Sequence, residues 1–460
     1  MFGGVGKAGW ATILVAGGLM LGASASAQAA DLGGDCCADL EERVAELEAT
    51  TARKGNRKVK LTVYGQINEA VMFWDDGFEQ NAYTVTNDAS RTRFGFKGGA
   101  KINDDLSANF KIEIGIRTSS SKRSNQNDPS AVVDQGFDVR RVWWNLHSKT
   151  YGTIQVGHTP MALEEITESN LAGTGSVGKY SDVEDSGLGM LLRGTGGGLS
   201  AVQWYRLIKH TGDQPGEGDR RQAVLYISPT FAGFTFSAAW GSDDGWDSSL
   251  KYEGEFHGFK IEAGIGYGEN TDASSDDNAN FGCVDTSTDG AHCRTVGGSV
   301  SVMHEKTGLY TNFAAGWFED EDVANSAAFA AALNPDDTSK FWAVEAGIKK
   351  KWIDLGPTTI FGQYYDFEGG ANARIVSNAA GLAAGDAINS FNVAGARVFS
   401  SEVQMFGLGI AQDIKAADMK LYALYRHYES EVMLSNGLAV QESDPIEDLD
   451  ILMTGAIIKF

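Results

Sequence analysis

The sequence predicts an all-β protein: a transmembrane antiparallel β-barrel of 18 strands by hairpin count, with 16 as the alternative, preceded by a short N-terminal coiled-coil helix. Three observations carry this. Apolar and polar residues alternate with period two through most of the chain after residue 59. Many alternating runs reach roughly the 9 to 11 residues that a tilted strand needs to cross a bilayer, where ordinary strands stop near 5 or 6. Short turns and long polar loops then alternate along the chain, as they do when one end of a barrel carries turns and the other carries loops.

Composition agrees. The 460 residues include 57 Gly and only 7 Pro, with 42% hydrophobic residues, and the mean hydropathy is -0.21. After residue 30 no run approaches the roughly 18 apolar residues of a membrane helix, a test that strands with one lipid face and one wet face escape. The formal net charge of -23 excludes nucleic acid as a partner and suits a surface that attracts cations.

Residues 1–29 read as a secretory signal: Lys7, the apolar run from Ala11 to Gly22, then small residues at cleavage spacing from Ala25 to Ala29. Its removal takes away Lys7 and no acid, so the net charge moves from -23 to -24. The mature chain then starts at Ala30-Asp31, with a periplasmic segment over 30–58. Cys37, Leu40, Val44, Leu47 and Thr51 are spaced 3, 4, 3, 4, a heptad seam inside residues 36–54. Two heptads need support from elsewhere, and a lone amphipathic helix on the periplasmic rim is the alternative. Arg53, Lys54, Arg57 and Lys58 form a basic collar before the first strand.

From Val59 the period becomes two. Leu61, Val63, Gly65, Ile67, Val71 and Phe73 fall on one face, and Lys60, Thr62, Tyr64, Gln66 and Asn68 on the other. Lipid is expected on the first face and a wet lumen on the second. A hairpin follows through the turn Asn103-Asp104-Asp105. Further short turns are read near 148–152, 195–198, 228–233, 257–258, 305–308, 354–357 and 415–418, and these seven with the first give 18 strands. Leu452, Thr454, Ala456, Ile458 and Phe460 share one parity, so the last strand reads as a closing strand, with Phe460 as an assembly signal.

Between the strand at 153–158 and a short strand at 190–193 lies the acidic loop 161–189. Glu164, Glu165, Glu168, Asp182, Glu184 and Asp185 stand there against Lys179 alone. By itself such a stretch reads as a solvated surface loop. Of the four cysteines, Cys283 and Cys293 flank a short polar stretch and are expected to form a disulfide; adjacent Cys36 and Cys37 are placed to link chains. No His-Glu-x-x-His, no Gly-x-Ser-x-Gly and no phosphate-binding glycine loop is present. The chain therefore reads as no enzyme, with no cofactor and no metal. The acidic tips 243–244 and 272–277 read as solvated loops.

Val63-Tyr64-Gly65-Gln66, Ser90 through Gly98, and Tyr151-Gly152 through Val156-Gly157 resemble strands of the general porins of Gram-negative bacteria, and Cys36 through Gly55 is similar to the leader of the alphaproteobacterial porin family. The resemblance implies an outer-membrane channel, a homotrimer, and a third loop folded into the barrel so that its acids oppose a wall of arginines. It thus sets Glu164, Glu165, Glu168, Asp182, Glu184 and Asp185 against Arg91, Arg93, Arg141, His158 and Arg193. Arg93 and Arg193 match family wall arginines, His158 stands where the family has arginine, and Gln66 stands where it often has lysine. The Pro-Glu-Phe-Gly-Gly stretch is missing. A weaker basic wall implies passive diffusion of small hydrophilic solutes and ions with cations preferred. Outer-membrane lipid and lipopolysaccharide are the expected surroundings, and peptidoglycan a further partner through Ala30-Asp31. The alternatives are a structural tether to peptidoglycan and, behind it, an outer-membrane barrel hydrolase.

Overall fold

The computed structural model describes residues 59–132, 136–208, 214–241, 245–273, 291–321, 323, 333–371, 397–435, 440–443 and 445–460. The signal, the coiled coil with Cys36 and Cys37, the Ala30-Asp31 start, the basic collar and Cys283 lie outside the described residues.

The strands are β1 (Lys60–Asp75), β2 (Gln80–Thr86), β3 (Arg93–Lys101), β4 (Leu106–Ile116), β5 (Phe137–Ser148), β6 (Gly152–Pro160), β7 (Leu191–Arg193), β8 (Leu199–Gln203), β9 (Arg220–Ile227) and β10 (Phe234–Gly241). They continue as β11 (Gly245–Phe256), β12 (Phe259–Ala273), β13 (Ala291–His304), β14 (Leu309–Asp320), β15 (Thr338–Ile353), β16 (Gly356–Gly369), β17 (Arg397–Ile414), β18 (Met419–Ser435), β19 (Val440–Glu442) and β20 (Leu449–Lys459).

Among the described residues 16 strands close the wall, each antiparallel to its neighbours. β20 pairs β1 from Gln66↔Lys459 to Asp75↔Asp450, and a two-way bond between Gly65 and Phe460 extends the seam (N to O 2.9 and 3.1 Å). Closure leaves no sheet edge in lipid. β2 and β19 are short ladders on the upper ends of β1 and β18.

The expectation of 18 strands is thus corrected to 16, and the cause is one turn. Gly194 to Gly198 does not join wall strands; it joins β7 to β8, a separate two-stranded sheet. The other seven short turns all connect neighbouring wall strands, and by the same count they give 16.

The lipid face is apolar as the alternation requires. Leu61, Val63, Ile67 and Val71 on β1, Trp144 and Leu146 on β5, and Leu408 and Ile410 on β17 are exposed. The lumen face is not uniformly polar. On β1 it runs from Tyr64, Gln66 and Asn68 into Ala70, Met72 and Trp74, all three buried.

That apolar half of the lumen is covered by the described residues 161–208 and 214–219 of the long connection from β6 to β9, here called the insert. Val177, Tyr180, Val183, Leu188, Met190, Leu192 and Trp204 pack against Phe341, Phe361, Tyr365, Tyr428, Ile451 and Met453 of the wall. Each fully buried side chain of this size stabilises by roughly 1.5–3 kcal/mol, so the insert is part of the core and not a loose lid. At its return to the wall it lies directly on backbone: a Cβ on Gly297 would stand 2.1 Å from the Gly216 carbonyl oxygen, and one on Gly316 1.9 Å from that of Pro215.

Candidate functional site

Two carboxyl groups of the insert meet the basic wall because its first turn is fixed by a carboxylate of β11. Asp247 accepts from the backbone N–H groups of Ala162 (3.0 Å) and Leu163 (2.9 Å). Ile166 seals the turn, fully buried with Leu163. Glu165 then takes a left-handed conformation, φ 60°, uncommon for a residue with a side chain and held by these contacts.

Glu164 is clamped between two guanidinium groups. Arg141 Nη2 of β5 approaches Glu164 Oε2 at 3.1 Å and Oε1 at 3.2 Å, and Arg220 Nη1 of β9 reaches Oε1 at 3.1 Å. Glu165 faces a cavity of about 420 Å³ bordered by Tyr64, Arg93, Lys111, Arg140, Arg141 and Lys459. Within the wall, Glu113 accepts from Tyr64 (2.9 Å), Arg140 (3.0 Å) and Lys111 (3.1 Å). A narrow wet slot therefore runs between the insert and β1, β3, β4 and β5.

The other four acids expected to oppose the wall, Glu168, Asp182, Glu184 and Asp185, do not pair with its arginines. Lys179 binds Glu168 (2.8 Å), Asp182 (3.0 Å) and Asp185 (3.6 Å), and Lys122 from the β4–β5 loop binds Glu184 and, at 3.6 Å, Asp185. Glu184 and Asp185 are buried. These acids are thus taken up by lysines instead of opposing the arginines. Burial pushes the Glu168 carboxyl up to about 8 even beside Lys179, since that single ammonium is shared with Asp182 and Asp185.

Of the expected wall residues, the structure brings Arg93 and Arg141 into the slot. Arg91 is buried beside Asp138 at 2.9 Å. Arg193 belongs to the β7–β8 hairpin of the insert, where it donates to Asp76 (2.9 Å) and the Gly197 carbonyl (3.0 Å) and pairs with Glu79 (3.1 Å). It is no wall arginine, for the same reason that the strand count was too high. His158 pairs Val142 on one side and Gln222 on the other. Residues directly opposite in a ladder share a face, and Val142 is lipid-facing, so His158 points out of the barrel while Gln155 and Thr159 point in. The insert also extends to 219, beyond the expected end at 189. Cys293 is buried on β13.

Arg140, Lys111, Glu113 and Arg220 were not singled out from the sequence. Arg140 could have been. Val139 and Val142 are three residues apart yet both lipid-facing, which alternation forbids; the pairing slips between Glu113 and Ile114. That bulge lets consecutive Arg140 and Arg141 both serve the lumen side.

A closed membrane barrel narrowed from inside by carboxylates set against guanidinium groups is a diffusion pore of an outer membrane. The chain belongs to the Gram-negative porin family, whose model matches residues 11–442. The curated proteins give no match. Solved structures similar to it include an anion-selective porin from Comamonas acidovorans, at 15% identity over 87% of this chain and 100% of that one, TM-score 0.49. OmpT of Vibrio cholerae in trimer form is 13% identical over 87% and 99%, TM-score 0.48. OmpF of Salmonella typhi in complex with daunomycin is 16% identical over 88% and 99%, TM-score 0.45.

Proposed function

We propose that this porin passes small hydrophilic solutes by diffusion through the slot, and that anions are preferred there. The carrying observation is local charge. The charged side chains bordering the cavity are Arg93, Lys111, Arg140, Arg141 and Lys459 against Glu113 and Glu165; adding Arg220 with both of its acid partners, Glu164 and Asp219, leaves two positive charges in excess. In a slot with low-dielectric walls such an excess attracts anions and repels cations.

The expected cation preference keeps one support, the net charge of -24 of the chain without its signal, which biases the mouths. Charges at the mouths are screened beyond about 10 Å at 0.1 M salt, whereas those at the narrowest point meet every permeating ion. Reversal potentials across a planar bilayer in a potassium chloride gradient decide between the two. A chloride-selective sign is expected, and a potassium-selective sign refutes the reading. The channel reading, as against an enzyme or a tether, fails if purified folded protein carries no ion conductance. A homotrimer in the outer membrane, with lipopolysaccharide around it and peptidoglycan reached by the N-terminal segment, completes the reading. Its support is the family and the fit of Ala30-Asp31.

A further inference from the structure

Toward the short turns the lumen wall carries Lys97, which does not border the slot cavity, beside Lys111 and Lys459, which do. Lys97 of β3 and Lys111 of β4 face each other directly across the ladder. Like charges so placed destabilise a sheet. Both ammonium groups lie over the same ring, that of Tyr64, at 5.4 and 5.2 Å from its centre, and the Tyr64 hydroxyl donates to Glu113 Oε2 (2.9 Å), the oxygen that the Lys111 ammonium also reaches (3.1 Å).

On the other side of β1, Lys459 of β20 pairs Gln66, whose side chain faces the lumen, so Lys459 faces it too. Among the described residues neither Lys97 nor Lys459 makes an ion pair, and both are exposed. Lys459 borders the slot cavity and also a second cavity of about 280 Å³, lined further by Ser176, Lys415, Lys420 and Asp413. Lys420 reaches the carbonyl of Gly173 at the tip of the insert.

We propose that Lys97, Lys111 and Lys459 form a second anion station on the periplasmic side of the slot, which takes small polyvalent oxyanions such as phosphates. Ammonium groups on flexible stems suit this class. They converge as point charges on a multiply charged oxyanion without demanding a planar bidentate partner, and Glu113 neutralises only one of the three. The facing pair Lys97 and Lys111 is the price of the station: its repulsion falls when a polyvalent anion sits between the ammonium groups. The inference rests on the anion-favouring reading of the slot but is tested apart from it.

The experiment uses the full-length porin in planar bilayers in magnesium-free potassium chloride, with inorganic pyrophosphate added to either side. Reduced conductance is expected, reached at lower pyrophosphate on the periplasmic side. The double variant Lys97→Gln/Lys459→Gln is expected to need about tenfold more pyrophosphate for half-block, a factor equal to about 1.4 kcal/mol. Lys97→Arg/Lys459→Arg is expected to restore most of the block, which separates loss of charge from loss of folding. Arg141→Gln in the slot is expected to weaken chloride preference and leave the periplasmic block in place. The station is refuted by absence of block in the unaltered porin, or by the same half-block concentration in the glutamine double variant. A potassium-selective reversal potential overturns the slot reading alone.

Discussion

Replacing Arg426 with methionine is expected to loosen the middle of the insert from the wall and to make the pore larger and noisier. Arg426 is fully buried on β18. Its guanidinium donates to the carbonyls of Lys179 and Val183 (3.2 Å), to Gln363 Oε1 (2.9 and 3.2 Å) and to the Tyr428 hydroxyl (3.4 Å). Gln363 passes the contact on, donating to the Gly178 carbonyl (2.9 Å) and to Glu345 (2.7 Å). Glu345, also buried, accepts from Thr174 of the insert at 2.6 Å, from Tyr310 and from Asn312. One network of neutral and charged groups therefore holds residues 174–183 across the lumen. Hydrogen bonds to a charged donor contribute about 1.5–3 kcal/mol each, and buried acceptors left unpaired cost about 1–3 kcal/mol. Methionine keeps the apolar stem, so with imperfect additivity the net loss comes to about 3–5 kcal/mol. The denaturant midpoint of the folded barrel reads the stability. Single-channel records, with exclusion of graded polyethylene glycols, read the aperture. An unchanged midpoint together with unchanged conductance and noise refutes the assignment of this network as the fastener of the insert.

Glu164→Gln removes the negative partner of Arg141 and Arg220, and the chloride-to-potassium permeability ratio is expected to rise by about two- to threefold; reversal potentials measure it, and an unchanged ratio would mean that Glu164 does not sit in the permeation path. The Glu168 carboxyl, held up to about 8 by burial, stays protonated in the folded state over a range where it is ionised in the unfolded one. The folded state then binds more protons, so stability is expected to fall as pH rises from about 4.5 to about 8. Glu168→Gln is expected to flatten that part of the curve, and thermal or denaturant midpoints at several pH values check it. Cys283 and Cys293 are expected to be joined, closing a short external ring worth about 2–4 kcal/mol. Non-reducing peptide mapping shows either the linked peptides or two free thiols, the second result removing the proposal.

The wall was legible because each of its residues faces one of two solvents, and alternation records that choice strand by strand. Val63, Ile67 and Ile458 point to lipid as their parity requires. The insert was not legible, since apart from the one-turn helix Tyr205–Ile208 and the β7–β8 hairpin its described residues follow neither period, and its contacts are long-range. Nothing in the local sequence distinguishes the 194–198 turn of an internal hairpin from a turn between wall strands; what separates them is Met190 and Leu192, apolar and fully buried on a stretch of which no residue reaches lipid. The Arg140-Arg141 pair was obscured for the opposite reason, because a bulge breaks the very alternation by which the wall is read.

Whole-chain charge is a poor guide to this pore because the acids are not distributed like the bases. Glu168, Asp182, Glu184 and Asp185 account for most of the acidity that marks the loop, yet burial keeps Glu168 protonated up to about 8, and the other three are paired with Lys179 and Lys122 in a layer packed inside the lumen. A buried carboxylate paired with an ammonium presents almost no field to an ion in the slot, whereas Arg93 and Lys459 face that ion directly. Among its described residues the insert carries most of its acids as internal fasteners and offers Glu164, Glu165 and Asp219 to the basic wall, the first shared by two guanidinium groups and the last paired with Arg220. On the proposed reading, selectivity follows from the charges that border the slot cavity, where bases outnumber acids.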